Sequence, residues 1–257
     1  MSKITVTEPG VVLPPTQAEL PCDDGIPMET QRHKVQMDLL IDALLPWLAE
    51  RSDGYVGGNM FVYFSLAQVR NQDFRGPDFF AVLGVPKGER KSWVVWEEGL
   101  APDVVIELLS DSTAELDKNE KKLIYQNQLR VPEYFWFDPF IPDDWAGFFL
   151  QHGVYQPLAP NAQNPLISQS LGLALQCWQG SYKGINATWL RWATLEGELL
   201  LTHEEQERLR AEQERLRAEQ AEFQLQQTVR NLLQEGMTVE QVARLTGLSK
   251  AQLEQLL

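Results

Sequence analysis

"PDVVIELLSDSTAELDKNEKKLIYQNQLRVPEYFWFDP", residues 102–139, holds two aromatic and β-branched runs joined by one long polar segment. "VVIELL" (104–109) and "YFWFD" (134–138) have the composition of strands. "STAELDKNEKKLIYQNQL" between them is long and polar enough for one exposed helix, with Ser112 or Thr113 as its cap.

Outward from this segment, "MFVYFS" (60–65), "DFFAVL" (78–83), "SWVVWE" (92–97) and "GFFLQ" (147–151) add four strand candidates. "METQRHKVQMDLLIDALLPWLAE" (28–50) spaces Val35, Leu39, Leu40, Leu44 and Leu48 as one face of an opening amphipathic helix. Strands with helices at the front and middle predict the α/β class, a central mixed β-sheet flanked by helices. Residues 1–28, with four prolines before Cys22, read as an extended N-terminal arm, and residues 29–194 as the α/β domain.

Beyond residue 195 the composition changes. "EQERLRA" (205–211) recurs at 212–218 and decays into "EQAEFQL", so residues 195–227 are expected to hold a long charged helix. Pairs such as Glu207 with Arg210 and Glu214 with Arg217 support it. Leu209, Leu216 and Phe223 fall on one seam, but the complementary positions are Gln206, Gln213 and Gln220. Such a seam fits a dimeric coiled coil, making the chain a homodimer, and equally a solvated single helix.

In residues 228–257, Gly236 stops a helix, Thr238 with Gln241 forms a capping box, and Gly247 with Ser249 turns into a last helix. The pattern resembles a helix-turn-helix. "SKAQLEQLL" offers one Lys, one Glu and no Arg, which weighs against base reading and towards a small packing or oligomerisation unit.

The formal charge of −14 argues against a simple polyanion-coating protein, although it does not exclude an enzyme with local basic groups. Residues 195–257 carry 12 acids against 7 bases, leaving 24 against 15 for residues 1–194, so neither part is a basic module. The two cysteines, Cys22 and Cys177, give no disulfide framework or metal knuckle. "MSKITVTEPG" lacks the apolar run of a signal peptide and no window is long and apolar enough to span a membrane, so a soluble cytoplasmic protein is expected. His33, His152 and His203 are scattered, which leaves no material for a zinc site or a histidine triad. The chain has no P-loop or dinucleotide fingerprint, and Ser110 in "LLSDS" is not on a nucleophile elbow.

Glu107 is a lone charge inside an apolar strand, and such a charge is costly to bury unless it is paired or metal-bound. A salt bridge to a Lys or Arg satisfies it as well as a metal does. Asp103, four residues back on the same face, stands roughly 13 Å away at strand rise, too far to share with Glu107 a magnesium ion that holds its ligands at about 2.1 Å. Asp103 is therefore turn chemistry. Asp78, in "RGPDFF" (75–80), can meet Glu107 if their strands are neighbours. In the helix, Asp117, Lys121 and Tyr125 recur every fourth residue as one stripe, from which Lys121 can lean over the sheet edge towards Glu107. Lys118 and Lys122 face elsewhere.

Asp78, Glu107 and Lys121 resemble the PD-(D/E)XK nuclease superfamily, and the segment 102–139 is similar to the Uma-two family of endonucleases within it. The resemblance covers roughly Gly25 to Leu158 and rests on "RGPDFF", "ELLSDST", the spacing Asp117, Lys121, Tyr125, and "VPEYFWFDP". Leu109 stands where the superfamily motif has its Lys, and Lys121 takes that place from the helix. The resemblance implies a restriction endonuclease-like fold and hydrolysis of phosphodiester bonds, most simply in DNA, with Mg2+ or Mn2+ held by Asp78 and Glu107 and with Lys121 as the catalytic ammonium. Glu29, at the start of the first helix, is a possible additional acid or an ordinary exposed one. Lys87, Arg90 and Lys91 in "PKGERK" suit a phosphate backbone and equally a solvated loop. Two functions remain open: a metal-dependent endonuclease, and a catalytically silent protein that recruits a partner through its C-terminal helices.

Overall fold

The computed structural model describes residues 6–8, 11–22, 28–71, 76–158 and 165–256. Arg75 of "RGPDFF", Gly25 and parts of the expected N-terminal arm lie outside the described residues. The chain divides into two compact units, Met1–Thr202 and His203–Leu257.

In the first unit, helix α1 (Gln31–Ala49) begins where Thr30 Oγ1 accepts from the amides of Arg32 and His33. Val35, Leu39, Leu40, Leu44 and Leu48, the face read from the sequence, are all buried. The strands are β1 (Val6–Glu8), β2 (Val11–Val12), β3 (Tyr55–Gly57), β4 (Val62–Tyr63), β5 (Phe79–Val82), β6 (Trp93–Val94) and β7 (Val104–Leu108). After a helical segment come β8 (Glu133–Phe137), β9 (Trp145–Gln151), β10 (Val154–Pro157), β11 (Leu166–Ser168), β12 (Leu173–Tyr182) and β13 (Ile185–Ala193).

Six strands form the central sheet in the order β10-β9-β8-β7-β5-β3. It is mixed: β7 and β8 run parallel and the other neighbours antiparallel. β5 and β7 are buried at every position, which is why they read as continuous apolar runs. Their residues alternate between two cores. Phe79, Ala81, Val104, Ile106 and Leu108 face one core with α1, whereas Phe80, Val82 and Val105 face the other with Tyr125, Leu129 and Tyr134.

The connection from β7 to β8 is not the uniform, exposed helix expected from its polarity. Short α-helical pieces, Ala114–Leu116 and Lys122–Ile124, alternate with π-helical turns at Asp117–Lys121 and Tyr125–Leu129. A π-turn holds more residues than the 3.6 of an α-turn, so the alternation brings residues four apart closer to a straight line. Asp117, Tyr125 and Leu129 are buried against the sheet. Thr113 precedes the helix without capping it; its hydroxyl bonds to Ser110 Oγ at 2.9 Å.

Two further departures concern strands. "SWVVWE" divides: Trp93–Val94 pairs with β4, and Val95–Glu98 turns helical until Gly99 closes it with φ of 79°. An antiparallel sheet β11-β12-β13, absent from the sequence reading, packs Leu173, Leu175, Leu190 and Trp192 into the α1 core. The side-chain amide of buried Gln36 ties α1 to it, donating to Leu190 O at 2.8 Å and accepting from Leu190 N at 2.9 Å.

The second unit is a 32-residue helix, His203–Gln234, followed by Val239–Thr246 and Lys250–Leu256. Thr238 and Gln241 form the expected capping box, and Gly247 ends its helix with φ of 74°. Val229, Val242 and Leu253 make a small core with Leu232, Met237 and Ala243 around them. On the long helix, Arg215 pairs with Glu212 at 2.6 Å and Glu219 at 2.7 Å.

Candidate active site

β5 and β7 pair with Phe79 opposite Ile106, Phe80 opposite Val105 and Ala81 opposite Val104. Carried one step further, the same register sets Asp78 opposite Glu107, on the face covered by the α/π helix. Directly opposed residues of antiparallel strands have side chains about 5 Å apart at Cβ. The Asp78 carboxylate is anchored here by the chain it faces, since Leu108 N donates to its Oδ2 at 2.7 Å.

Glu107 has no exposed surface. Tyr125 OH donates to its Oε1 at 2.7 Å and Lys121 Nζ donates to its Oε2 at 3.2 Å. Lys121 also lies 2.7 Å from Oδ1 of buried Asp117, an ion pair without the alignment of a hydrogen bond. The structure thus brings Asp78, Glu107 and Lys121 into one cluster and adds Asp117 and Tyr125 to it. Glu107 lies on a central strand, so Lys121 reaches it over the face of the sheet and not over an edge. Lys118 turns away to Asp144 at 2.6 Å, and Lys122 sits over the Phe148 ring.

Three carboxylates around one ammonium leave an excess of negative charge in a dry place. Burial, reinforced by the charges of Asp78 and Asp117, pushes Glu107 up to about 8. Burial likewise raises Asp78 to about 6, against the pull of Lys121 and the Leu108 amide. Asp78 nonetheless keeps part of its surface open to solvent, unlike Glu107. Burial alone would lower the Lys121 ammonium, but Glu107, Asp117 and Asp78 outweigh it and hold the group above its ordinary value. Lys121 therefore stays protonated.

Glu29 sits at the rim. It is exposed, its Oε1 accepts from Ser110 Oγ at 3.4 Å, and its charge adds to the field at Asp78. It lines a cavity of about 250 Å³ with His33, Ser110, Asp111, Asp138 and Phe140. His33, set aside in the sequence as one of three scattered histidines, is buried with Nε2 2.9 Å from Leu109 O and Nδ1 2.8 Å from Thr30 Oγ1. Because a carbonyl only accepts, Nε2 is the donor in its bond to Leu109 O. The ring thus fastens α1 to the end of the strand that bears Glu107.

Asp103 is a local brace: its Oδ2 accepts from Leu83 N at 2.7 Å. Of the basic loop, Arg90 is taken up by Glu98 at 2.9 Å and stacks over Tyr55 and Trp93, and Lys87 donates to Ala49 O at 3.3 Å. Asp117 was legible only as a member of the stripe. Its i,i+4 spacing to Lys121 was the signal that the two charges would meet.

Among the described residues, no three His, Cys, Asp or Glu side chains converge as a ready-made metal cage, and no helix is long and apolar enough to cross a membrane. No curated protein matches the chain. A family model, Uma2, described as "Putative restriction endonuclease", matches residues 14–182, more than half of the chain. Residues 230–257 match a second model, the C-terminal HTH domain of the Rpn/YhgA-like nuclease family, which makes the terminal helices similar to a helix-turn-helix found in nucleases. The chain belongs to the Uma2 family of restriction endonuclease-like proteins, and its mixed sheet with flanking helices is that fold.

Proposed function

We propose that this protein is a divalent-metal-dependent endonuclease that hydrolyses phosphodiester bonds in DNA, with Asp78, Glu107 and Lys121 as its catalytic residues. The observation that carries this reading is the meeting of Asp78, just before β5 and bonded to the Leu108 amide, with Glu107 of β7, to which Lys121 is bonded from the helix above.

The donor set fits Mg2+ or Mn2+. Carboxylate oxygens are the hard ligands such ions take, and magnesium is commonly held by one or two carboxylates, with water and substrate phosphate completing its shell. Burial first, and the neighbouring carboxylates second, make Asp78 and Glu107 costly to ionise, a cost that a bound dication would offset. Asp78 and Glu107 would hold it, and Glu29, exposed at the rim, would be the further acid. A dication there supplies charge neutralisation for the phosphodiester and activation of a water.

The chain's own groups do the rest. Tyr125 fixes the orientation of Glu107 through Oε1, and the Leu108 amide fixes Asp78 through Oδ2. Asp117 holds Lys121 in reach, and the Lys121 ammonium, protonated throughout, offsets the negative charge that grows on the phosphoryl oxygens as the bond breaks. The likeness of residues 230–257 to a nuclease helix-turn-helix supports DNA as the polymer.

The test is nicking of supercoiled plasmid by the full chain, with Mg2+ or Mn2+ omitted and restored. Asp78→Asn, Glu107→Gln and Lys121→Met are each expected to lower the rate by about 100-fold or more. Cutting that survives all three changes overturns the site assignment, and a plasmid left intact under every metal condition favours the silent assembly protein.

A further inference from the structure

Leu209, Leu216 and Phe223 stand seven residues apart on the long helix and remain 48%, 45% and 60% exposed. Large apolar side chains in a row on an otherwise charged helix are a costly surface to leave wet. A heptad frame with these residues at d places Gln206, Gln213 and Gln220 at a. The same frame sets Glu205, Glu212 and Glu219 at g, and Arg210, Arg217 and Gln224 at e. The charged positions flanking the seam are therefore sorted by sign: the three g residues are acids, and no acid stands at e.

That sorting chooses both the partner and its direction. In a parallel pair each g residue meets the e residue five places on in the partner helix. Glu205 then meets Arg210 of the other copy, Glu212 meets Arg217, and Glu219 meets Gln224. In an antiparallel pair g meets g and e meets e, which sets Glu against Glu and Arg against Arg. Because one helix carries both complementary rows, a second copy of the same chain satisfies it. Glutamine at a adds specificity for register at a cost in stability, as polar a residues do.

We infer that residues 205–227 form a parallel, in-register two-stranded coiled coil between two copies of this chain. The seam is under four heptads long with polar a positions, so the pair dissociates at measurable concentration. This association is independent of the nuclease chemistry.

Sedimentation equilibrium of the full chain, without DNA, reads the stoichiometry. Twice the chain mass is expected at high concentration, falling towards the chain mass on dilution. Leu209→Lys combined with Leu216→Lys is expected to give the chain mass at every concentration, and both sites are exposed, so folding is not at stake. Glu212→Arg alone should weaken the pair by tenfold or more, and Arg217→Glu added to it should restore the pair. Orientation is read by disulfide trapping after the exposed Cys22 and Cys177 are changed to Ser. Gln213→Cys, at a, should cross-link to its own copy, and Ala211→Cys, on the outer face, should not. A wild-type monomer at all concentrations, a trimer, a dimer that survives the double Lys change, or equal trapping at 211 and 213 each overturns the proposal.

Discussion

The Tyr125 hydroxyl donates a 2.7 Å hydrogen bond to Oε1 of Glu107, joining a π-turn of the helix to the middle of the sheet. The phenol is fully buried, and burial with the Glu107 charge holds its pKa far above the ordinary value, so it remains a donor at every working pH. Tyr125→Phe keeps the ring and removes only that bond. Partners that orient a ligand carboxylate are typically worth 10- to 100-fold in activity or metal affinity. Nicking by Tyr125→Phe is expected to fall by roughly that factor, with most of the loss recovered at high Mn2+. A rate equal to wild type under limiting metal would show that Glu107 needs no such orientation.

Lys121 is the only cation in direct contact with both Glu107 and Asp117 among the described ion pairs. Lys121→Met removes the charge while keeping most of the stem. Buried Asp117 then loses its ion partner and Glu107 a hydrogen-bond donor, and breaking a buried ion pair costs about 3–5 kcal/mol. The metal-free variant should unfold well below wild type in a thermal melt. Since a dication can take over part of the neutralisation, added Mg2+ should raise the variant's midpoint by more than it raises the wild type's.

The raised acids fix a pH dependence and its sign. Glu107 titrates at about 8 in the folded protein against an ordinary value of 4.5, chiefly because it is buried and then because Asp78 and Asp117 face it. The folded state therefore binds this proton more tightly than the unfolded chain. Its contribution to stability is fully present below about 4.5 and is lost as pH rises through about 8. Asp78 acts in the same direction over a lower window, from 3.8 to about 6. With metal chelated, the melting midpoint should fall between pH 5 and pH 9, and Glu107→Gln should flatten the fall. Binding of a dication by these carboxylates would have the opposite slope, because they must lose their protons to ligate it. The rise in midpoint on adding Mg2+ should thus be larger at pH 8 than at pH 6.

How much of this was legible depends on how strongly each residue's neighbours betray it. Glu107 stands out because a charge within "VVIELL" has to be answered by something. The Asp117, Lys121, Tyr125 stripe was visible from spacing alone, although the π-turns that straighten it leave no mark in composition. The opposition of Asp78 and Glu107 could be stated only as a condition, since strand order and register belong to the whole sheet. The β12-β13 hairpin went unread for a local reason. Beyond Leu175 its side chains are half-buried or exposed up to Tyr182, so the apolar alternation that signals a strand fades. What remained was the turn: Lys183 and Gly184 both have positive φ, 46° and 78°, as a two-residue hairpin turn requires. His152 and Gly153, at 52° and 84°, make the same turn between β9 and β10.

Gly58 holds the site from outside it. A Cβ at this position would lie 2.1 Å from the carbonyl oxygen of Asp78 and 3.0 Å from Met37 Cγ and Sδ. The methionine can rotate away, but the carbonyl belongs to the chain that presents Asp78. The next residue tightens the constraint, because Asn59 N donates to Pro77 O at 3.0 Å. Gly58→Ala therefore has to displace the Asp78 backbone or the end of β3. A misplacement of about 1 Å at a catalytic group costs on the order of 100-fold, so nicking should fall by at least tenfold while the protein still folds. Gly88→Ala is the matched control: its Cβ would meet only the far end of Arg90 at 3.8 Å, and stability should change by less than about 0.5 kcal/mol. If Gly58→Ala cuts DNA as fast as wild type, the position of Asp78 is not what limits the reaction.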